Sequence, residues 1–352
     1  MPVSDADMVR AWTHVLTLSK LEPQQTVTLL TTEHSHPQTL RTAKIAAGNL
    51  GAVVNRLELE PVNAQLAHSR DSLAYLGTTP LTGNAAAIAA LKQSDMVLDL
   101  MTLLFSPEQQ EILESGTKIL LAVEPPEVLV RLLPDAADKA KCAAAAALLS
   151  GGREMHVTSK AGTDLHLPLG QFPVVEEYGY VDAPGRWDHW PSGFSFTFPN
   201  DGEAHGRVVL QVGDILLPMK SYLSTPIEMI VEKGYVTSIT GGIDADLLND
   251  YMAAFEDKEA YAISHIGWGL QNRARWSTLG LYDREQTLGM DARAFAGNFL
   301  FSMGPNNEAG GSRTTACHID IPMRHCTVRV DEHEVVRDGV LLPTAPATDE
   351  PA

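Results

Sequence analysis

Apolar residues recur along this chain at two periods, and the switch between them organises it. Up to about residue 150, helix-like and strand-like stretches alternate. Met8, Trp12, Val15 and Leu16 form one stripe of a helix over residues 4–19, with Ser4 placed to cap its first turn. Residues 26–30 read as a strand, 37–50 as a helix closed by Gly51, and 53–57 as a strand. A helix over 84–91, a strand over 96–100, a helix over 107–113 ending near Gly116 and a strand over 118–123 follow, then helices at 127–133 and 136–149. Such alternation predicts an open, largely parallel α/β sheet. The run Ile119-Leu120-Leu121-Ala122-Val123 suits a strand buried on both faces.

Gly151-Gly152 marks the change, and strands dominate afterwards: 155–159, 164–167, 207–212, 214–217, 226–232 and 235–240, the last two joined at a Lys233-Gly234 turn. A helix is expected over 244–255 and a late hairpin over 326–330 and 335–342. The fold class is therefore α/β, with an N-terminal open-sheet domain (1–150) and a β-rich α+β domain (151–342) carrying the chemistry. The Pro/Ala/Asp-rich tail, 343–352, is expected to be disordered or to lie on a neighbouring subunit. Residues 168–200 read as one long irregular segment holding Glu176, Glu177, Tyr178, Tyr180, Asp182, Arg186, Trp187, Asp188, His189 and Trp190. A loop of that length in a compact domain is usually functional. Two tryptophans beside a histidine could wall a flat ring, with one titratable group inside.

Composition narrows the function. The 352 residues suffice for two domains with cores of their own, and 44% hydrophobic with 20% charged residues is ordinary for a soluble globular chain. A net charge of −18 disfavours nucleic acid and anionic membranes as partners. Cys142, Cys317 and Cys326 make neither a disulfide framework nor a CxxC pair, which suits a reducing cytoplasm. Asp5, Asp7, Arg10 and Lys20 near the start are wrong for a signal peptide, and the apolar run 143–149 is too short to span a bilayer. No glycine pattern matches a dinucleotide or P-loop nucleotide site.

The richest candidate chemistry lies in Thr314-Thr315-Ala316-Cys317-His318-Ile319-Asp320-Ile321-Pro322, read as a strand. His318 and Asp320 then share a face with Cα atoms about 6.6 Å apart, while Cys317, Ile319 and Ile321 point the other way. That spacing lets an imidazole and a carboxylate converge on one metal ion. The best third ligand is His265, which follows an apolar run and precedes Gly267 and Gly269. Two histidines and a carboxylate with open positions opposite are the facial triad of non-haem Fe(II) oxygenases. Blander readings stand beside this one. A lone strand histidine is more often hydrogen-bonded than ligating, and His189 could equally hold a loop carbonyl. Glu176 and Glu177 diverge if extended, so at most one faces a site. Arg293 reads as a structural ion pair with Asp291, Ser302 as a ligand donor or a turn former, and Cys317 as core. His34-Ser35-His36 repeats the spacing of His318 and Asp320 at a strand-to-helix turn, where capping explains it.

The words Leu121-Ala122-Val123-Glu124-Pro125-Pro126-Glu127-Val128-Leu129, Ser159-Lys160-Ala161-Gly162-Thr163-Asp164, Gly185-Arg186-Trp187-Asp188-His189-Trp190-Pro191-Ser192-Gly193, Ser264-His265-Ile266-Gly267-Trp268-Gly269-Leu270 and Cys317-His318-Ile319-Asp320-Ile321-Pro322 carry a resemblance over essentially the whole chain. By them the chain resembles the 2,5-dihydroxypyridine 5,6-dioxygenase family of bacterial nicotinic acid and nicotine catabolism. The resemblance implies Fe(II) on His265, His318 and Asp320, the set already reached from spacing. It implies ring opening of a hydroxypyridine by O2 to N-formylmaleamic acid, in a cytoplasmic homo-oligomer. His189 would serve as general base and later acid, with Glu177 orienting it or the pyridine N–H. Ser302, Leu104, Trp187 and Trp190 are the expected substrate contacts. Phe105 stands where relatives carry a histidine, so one polar contact to substrate would be missing. More distantly the chain is similar to M29 aminopeptidases, and an M29-like metallo-hydrolase is the alternative reading, with a non-catalytic binding protein as a third. Two-metal hydrolases of that kind use more carboxylates, and His265 stands where a glutamate would be expected.

Overall fold

The computed structural model describes residues 3–61, 79–104, 106–217 and 219–343. Phe105 and the tail 344–352 lie outside them. The chain forms two compact units, and both are discontinuous. One comprises Met1–Ala136, Glu177–Ser192 and Gly280–Met290, the other Ala137–Glu176, Gly193–Leu279 and Asp291–Ala352. A single cut at residue 150 is thus not how the structure divides. The helix Ala136–Gly151 runs almost wholly in the second unit, and the middle of the expected irregular loop belongs to the first.

Among the described residues, the first unit holds a parallel sheet in the order Val53–Glu58, Thr26–Thr31, Met96–Asp99, Lys118–Leu121, Trp187–His189. Its first four strands lie where the apolar runs placed them, and the inner strands Met96–Asp99 and Lys118–Leu121 are buried throughout. The helix Asp5–Leu18 begins in a capping box: Ser4 Oγ accepts from Asp7 N–H and the Asp7 carboxylate accepts from Ser4 N–H. Its buried stripe is Met8, Ala11, Trp12, Val15 and Leu16. His36 caps the helix Pro37–Asn49, its Nδ1 accepting from Thr39 N–H, so the His-x-His spacing there is capping as expected. The fifth strand was hidden within the segment read as loop. It is three residues long, and it pairs Asp188 with Leu120 and His189 with Leu121.

The second unit holds an antiparallel sheet in the order Tyr235–Gly241, Ile227–Glu232, His205–Leu210, Asp164–Pro168, Glu154–Ser159, Cys326–Val330, His333–Arg337, Val340–Leu341. Lys233 and Gly234 turn its first hairpin with φ of 50° and 79°, the paired positive angles of a two-residue loop. A second sheet runs Ile319–Met323, Phe299–Met303, Ile263–Gly269, Phe194–Thr197, Val175–Glu177, its last strand leading the chain out of this unit. The strand expected from Thr314 begins only at Ile319, so His318 stands one residue before it.

Every residue of Ile263–Gly269 is buried, which removes the alternation that would have marked its faces. Ile263 pairs with Met303 and Ile266 with Phe301, so one extra residue is accommodated between them. This is a β-bulge, and it sits at Ser264-His265. Gly267 and Gly269 serve close packing of backbone. A Cβ on Gly267 would lie 2.2 Å from the Ser195 carbonyl oxygen, and one on Gly269 2.2 Å from that of Phe295. Gly267→Ala should therefore destabilise the protein by about 2 kcal/mol or more in urea unfolding; a variant as stable as the parent would show that the strands can separate at no cost.

Candidate metal centre and a buried histidine–glutamate pair

Three strands of the second unit's smaller sheet assemble one cluster. Ser302 and Asp320 are direct ladder partners, and the bulge brings His265 to the same place. Asp320 is also bridged on its other side, exchanging backbone hydrogen bonds with Leu217 at 2.9 and 3.0 Å. His265 Nε2 lies 3.2 Å from His318 Nε2 and 3.2 Å from Asp320 Oδ1, and His318 Nε2 lies 3.0 Å from the same oxygen. All three side chains are buried. Ligand atoms about 2.1 Å from a metal and 90° apart are about 3.0 Å from each other, whereas tetrahedral angles would separate them by about 3.4 Å. The triangle fits one face of an octahedron.

Proton counting gives the same answer. Ser302 Oγ lies 2.5 Å from Asp320 Oδ1 and 3.1 Å from His265 Nδ1. A carboxylate can only accept, so the single hydroxyl proton goes to Asp320 and Ser302 accepts from His265 Nδ1–H. That tautomer leaves a lone pair on His265 Nε2. The same pocket thus receives the lone pairs of His265 Nε2 and Asp320 Oδ1 with His318 Nε2 beside them, an arrangement that a cation resolves. Arg293 Nε donates to the other oxygen, Asp320 Oδ2, at 2.5 Å. Burial works against ionisation of Asp320, but Arg293 and the two imidazoles outweigh it and hold the carboxyl well below its ordinary range.

The Arg293 ion pair thus reaches the centre itself rather than serving only its own helix. Ser302 spends its hydroxyl on two prospective ligands. Cys317 is buried, with its thiol pushed up to about 12 by burial and the Asp257 charge. Phe196 and Phe198, which no motif marks, also lie at the centre, their rings 4.9 and 6.0 Å from that of His265. Their trace was present in the alternation Phe194, Phe196, Phe198, three aromatics at strand period.

In the first unit, His189 closes the last strand of the parallel sheet, fully enclosed. Its Nδ1 lies 2.5 Å from the Pro191 carbonyl and so carries a proton; its Nε2 lies 2.5 Å from Glu177 Oε2. One proton is shared across that second contact. Burial alone would lower the imidazole, but Glu177, Asp188 and the Pro191 carbonyl prevail and raise it. Asp188 is itself tied to Arg186 at 2.7 Å, to Tyr178 N–H at 2.9 Å and to His189 N–H at 2.8 Å. Trp187 is half-buried, its ring 5.5 Å from His189, and Leu104 is half-buried. Trp190 packs edge-on against Trp12 at 5.0 Å and donates its indole N–H to the Leu132 carbonyl, so its ring lies within the core of this unit.

Comparison with known proteins identifies the family. Residues 7–343 match the model of a family described as 2,5-dihydroxypyridine 5,6-dioxygenase. A relative of that name from Pseudomonas putida is 54% identical over 339 residues, 96% of this chain and 97% of its own length. The solved structure of 2,5-dihydroxypyridine dioxygenase from Pseudomonas putida KT2440 superposes with a TM-score of 0.94, covering 97% of this chain and 98% of that one at 54% identity. Wild-type AmpT from Thermus thermophilus superposes with a TM-score of 0.61 at 16% identity, covering 96% of this chain and 99% of its own. That likeness concerns the fold alone and accords with the distant similarity expected from the sequence.

Ser302→Ala should free the His265 tautomer and weaken metal binding about 10- to 100-fold in competition with a chromophoric chelator; unchanged affinity would show that the tautomer is set elsewhere. Because its pKa is raised, His189 should keep both ring protons above pH ~6.5, read by nitrogen NMR. A neutral ring at pH ~6.5 would dissolve the charge-pair description.

Proposed function

Since the chain belongs to the 2,5-dihydroxypyridine 5,6-dioxygenase family, we propose that it opens the ring of 2,5-dihydroxypyridine with O2, using one Fe(II) held by His265, His318 and Asp320. The product of that reaction is N-formylmaleamic acid: the C5–C6 bond breaks, both oxygen atoms are retained and no reductant is consumed. The observation that carries the reading is the triangle of donor atoms 3.0 to 3.2 Å apart, the spacing of a facial triad. Bound Fe(II) supplies the electron transfer that relieves the poor reactivity of O2 toward an aromatic ring.

The chain's own residues set the conditions for that chemistry. Asp320 and Arg293 cancel in charge, and His265 and His318 would hold the ion through neutral rings. These residues would thus leave its positive charge uncompensated, which would favour a substrate arriving as an oxyanion. Ser302 and Arg293 hold the carboxylate in one orientation, so the donor triangle is formed before the ion arrives. Phe196 and Phe198 exclude water beside His265. We assign proton transfer to His189 as general base and later acid, with Glu177 sharing and positioning its proton. Trp187 and Leu104 remain our choices for apolar substrate contacts. The M29-type hydrolase reading asks for a second ion and bridging carboxylates, and the cluster offers one carboxylate among the described residues.

His265→Ala and Asp320→Ala should each lose iron and ring cleavage together, followed by metal analysis and product identification after anaerobic reconstitution. Retention of iron and full rate by either would remove it from the ligand set. Asp320→Ala also breaks the buried ion pair with Arg293 and should cost about 3–5 kcal/mol of stability. His189→Ala should keep iron and lose about 10²- to 10⁴-fold in turnover. The base step needs the neutral imidazole, so kcat/KM should rise with pH through the raised pKa of His189. Glu177→Gln removes the charge that raises it, and the ascending limb should move to lower pH; a limb that stays in place would detach it from His189.

A further inference from the structure

The larger sheet of the second unit carries a histidine row that the reaction does not use. His156 and His166 face each other directly across the hairpin strands Glu154–Ser159 and Asp164–Pro168, and His205 faces His166 from the next strand. The rings stack: centroids are 4.2 Å apart at 15° between the first two and 5.1 Å apart at 7° between the second pair. Their neighbours at strand period two, Met155, Val157, Leu165 and Leu167, point into the core, so the row stands on the open face. Asp164 shares that face, diagonal to His156. Its Oδ1 lies 2.8 Å from His156 Nε2 and 3.6 Å from His166 Nε2.

The proton inventory makes this more than a surface ion pair. His166 Nδ1 lies 2.7 Å from Glu154 Oε1 and must donate to it, so that on the neutral ring the His166 Nε2 lone pair is turned towards Asp164. A carboxylate that fixes the far nitrogen of an imidazole is the usual support of a metal-ligating histidine. The nearby cations are engaged elsewhere: Arg207 donates to the Gly162 carbonyl and Arg329 pairs with Glu334.

We propose that His156, Asp164 and His166 form a second divalent-metal site, with Glu154 as the residue that positions His166. The three ligand atoms lie within 4.8 Å of one another, and the Asp164 side chain is 64% exposed, free to turn the last fraction of an ångström. Two imidazoles and one carboxylate select a first-row ion of the zinc, nickel or copper kind over magnesium or calcium. Such an ion clamps the hairpin across its register, and because the unfolded chain offers no preformed site, binding stabilises the fold.

Equilibrium dialysis of the full chain against Zn(II) tests this without reference to the buried centre. His166→Gln and His156→Gln should each bind one equivalent fewer than the parent, whatever the parent's total, and Glu154→Ala should bind that equivalent about 10-fold more weakly. Both histidines are about one-third exposed, so the variants should melt as the parent does in metal-free buffer. Zn(II) should raise the melting temperature of the parent more than that of either glutamine variant. Equal stoichiometry in the parent and both variants would overturn the proposal and leave the row as hydrogen-bonded surface histidines.

Discussion

Asp320 is ionised inside the protein, and each of its oxygens answers a different demand. One accepts from Arg293; the other accepts from Ser302 and faces two imidazoles. A buried carboxylate is costly unless its lone pairs are met, and here they are met on every side but one. The remaining direction is shared with the lone pair of His265. The surrounding structure serves that convergence: the ladder pairing with Ser302, the bridge to Leu217, and the bulge that turns His265 inward. Bulges recur beside functional sites because one added residue re-aims a side chain without breaking the sheet.

The first unit delivers its own titratable pair by a different route. His189 is the final residue of a strand in a parallel sheet, and carboxyl ends of parallel strands are where such folds present functional groups. Its proton environment is fixed by a carbonyl on one nitrogen and a carboxylate on the other, with Asp188 and Arg186 compensating one another alongside. The fold is shared at low identity with AmpT, so architecture does not separate ring cleavage from other chemistry. The family match does, with 54% identity to the Pseudomonas relative.

Much of the architecture was legible because helices and strands longer than about a turn or a few residues leave a period in the sequence. Ser4 caps the helix it precedes, and Lys233-Gly234 turns the hairpin it announces. Residues 168–200 were opaque for a matching reason. The strands there, Val175–Glu177, Trp187–His189 and Phe194–Thr197, are three or four residues long, too short for a period to register. The return of Glu177–Ser192 to the first unit leaves no mark in the sequence for the same reason, since it rests on a three-residue strand.

Amino-acid order alone determined the candidate donor groups and their local spacing: an imidazole two residues before a carboxylate, and a second imidazole ahead of two glycines. It also determined the alternation that makes the first unit a parallel sheet. Only the tertiary structure decided that Arg293 neutralises Asp320, that Ser302 dictates the His265 tautomer, that Glu177 rather than Glu176 meets His189, and that three imidazoles stack on the open sheet. The reason is physical. Local order sets which torsions and faces a segment prefers, but a hydrogen bond between residues dozens of positions apart depends on strand register and bulge placement, which arise only when the strands pair.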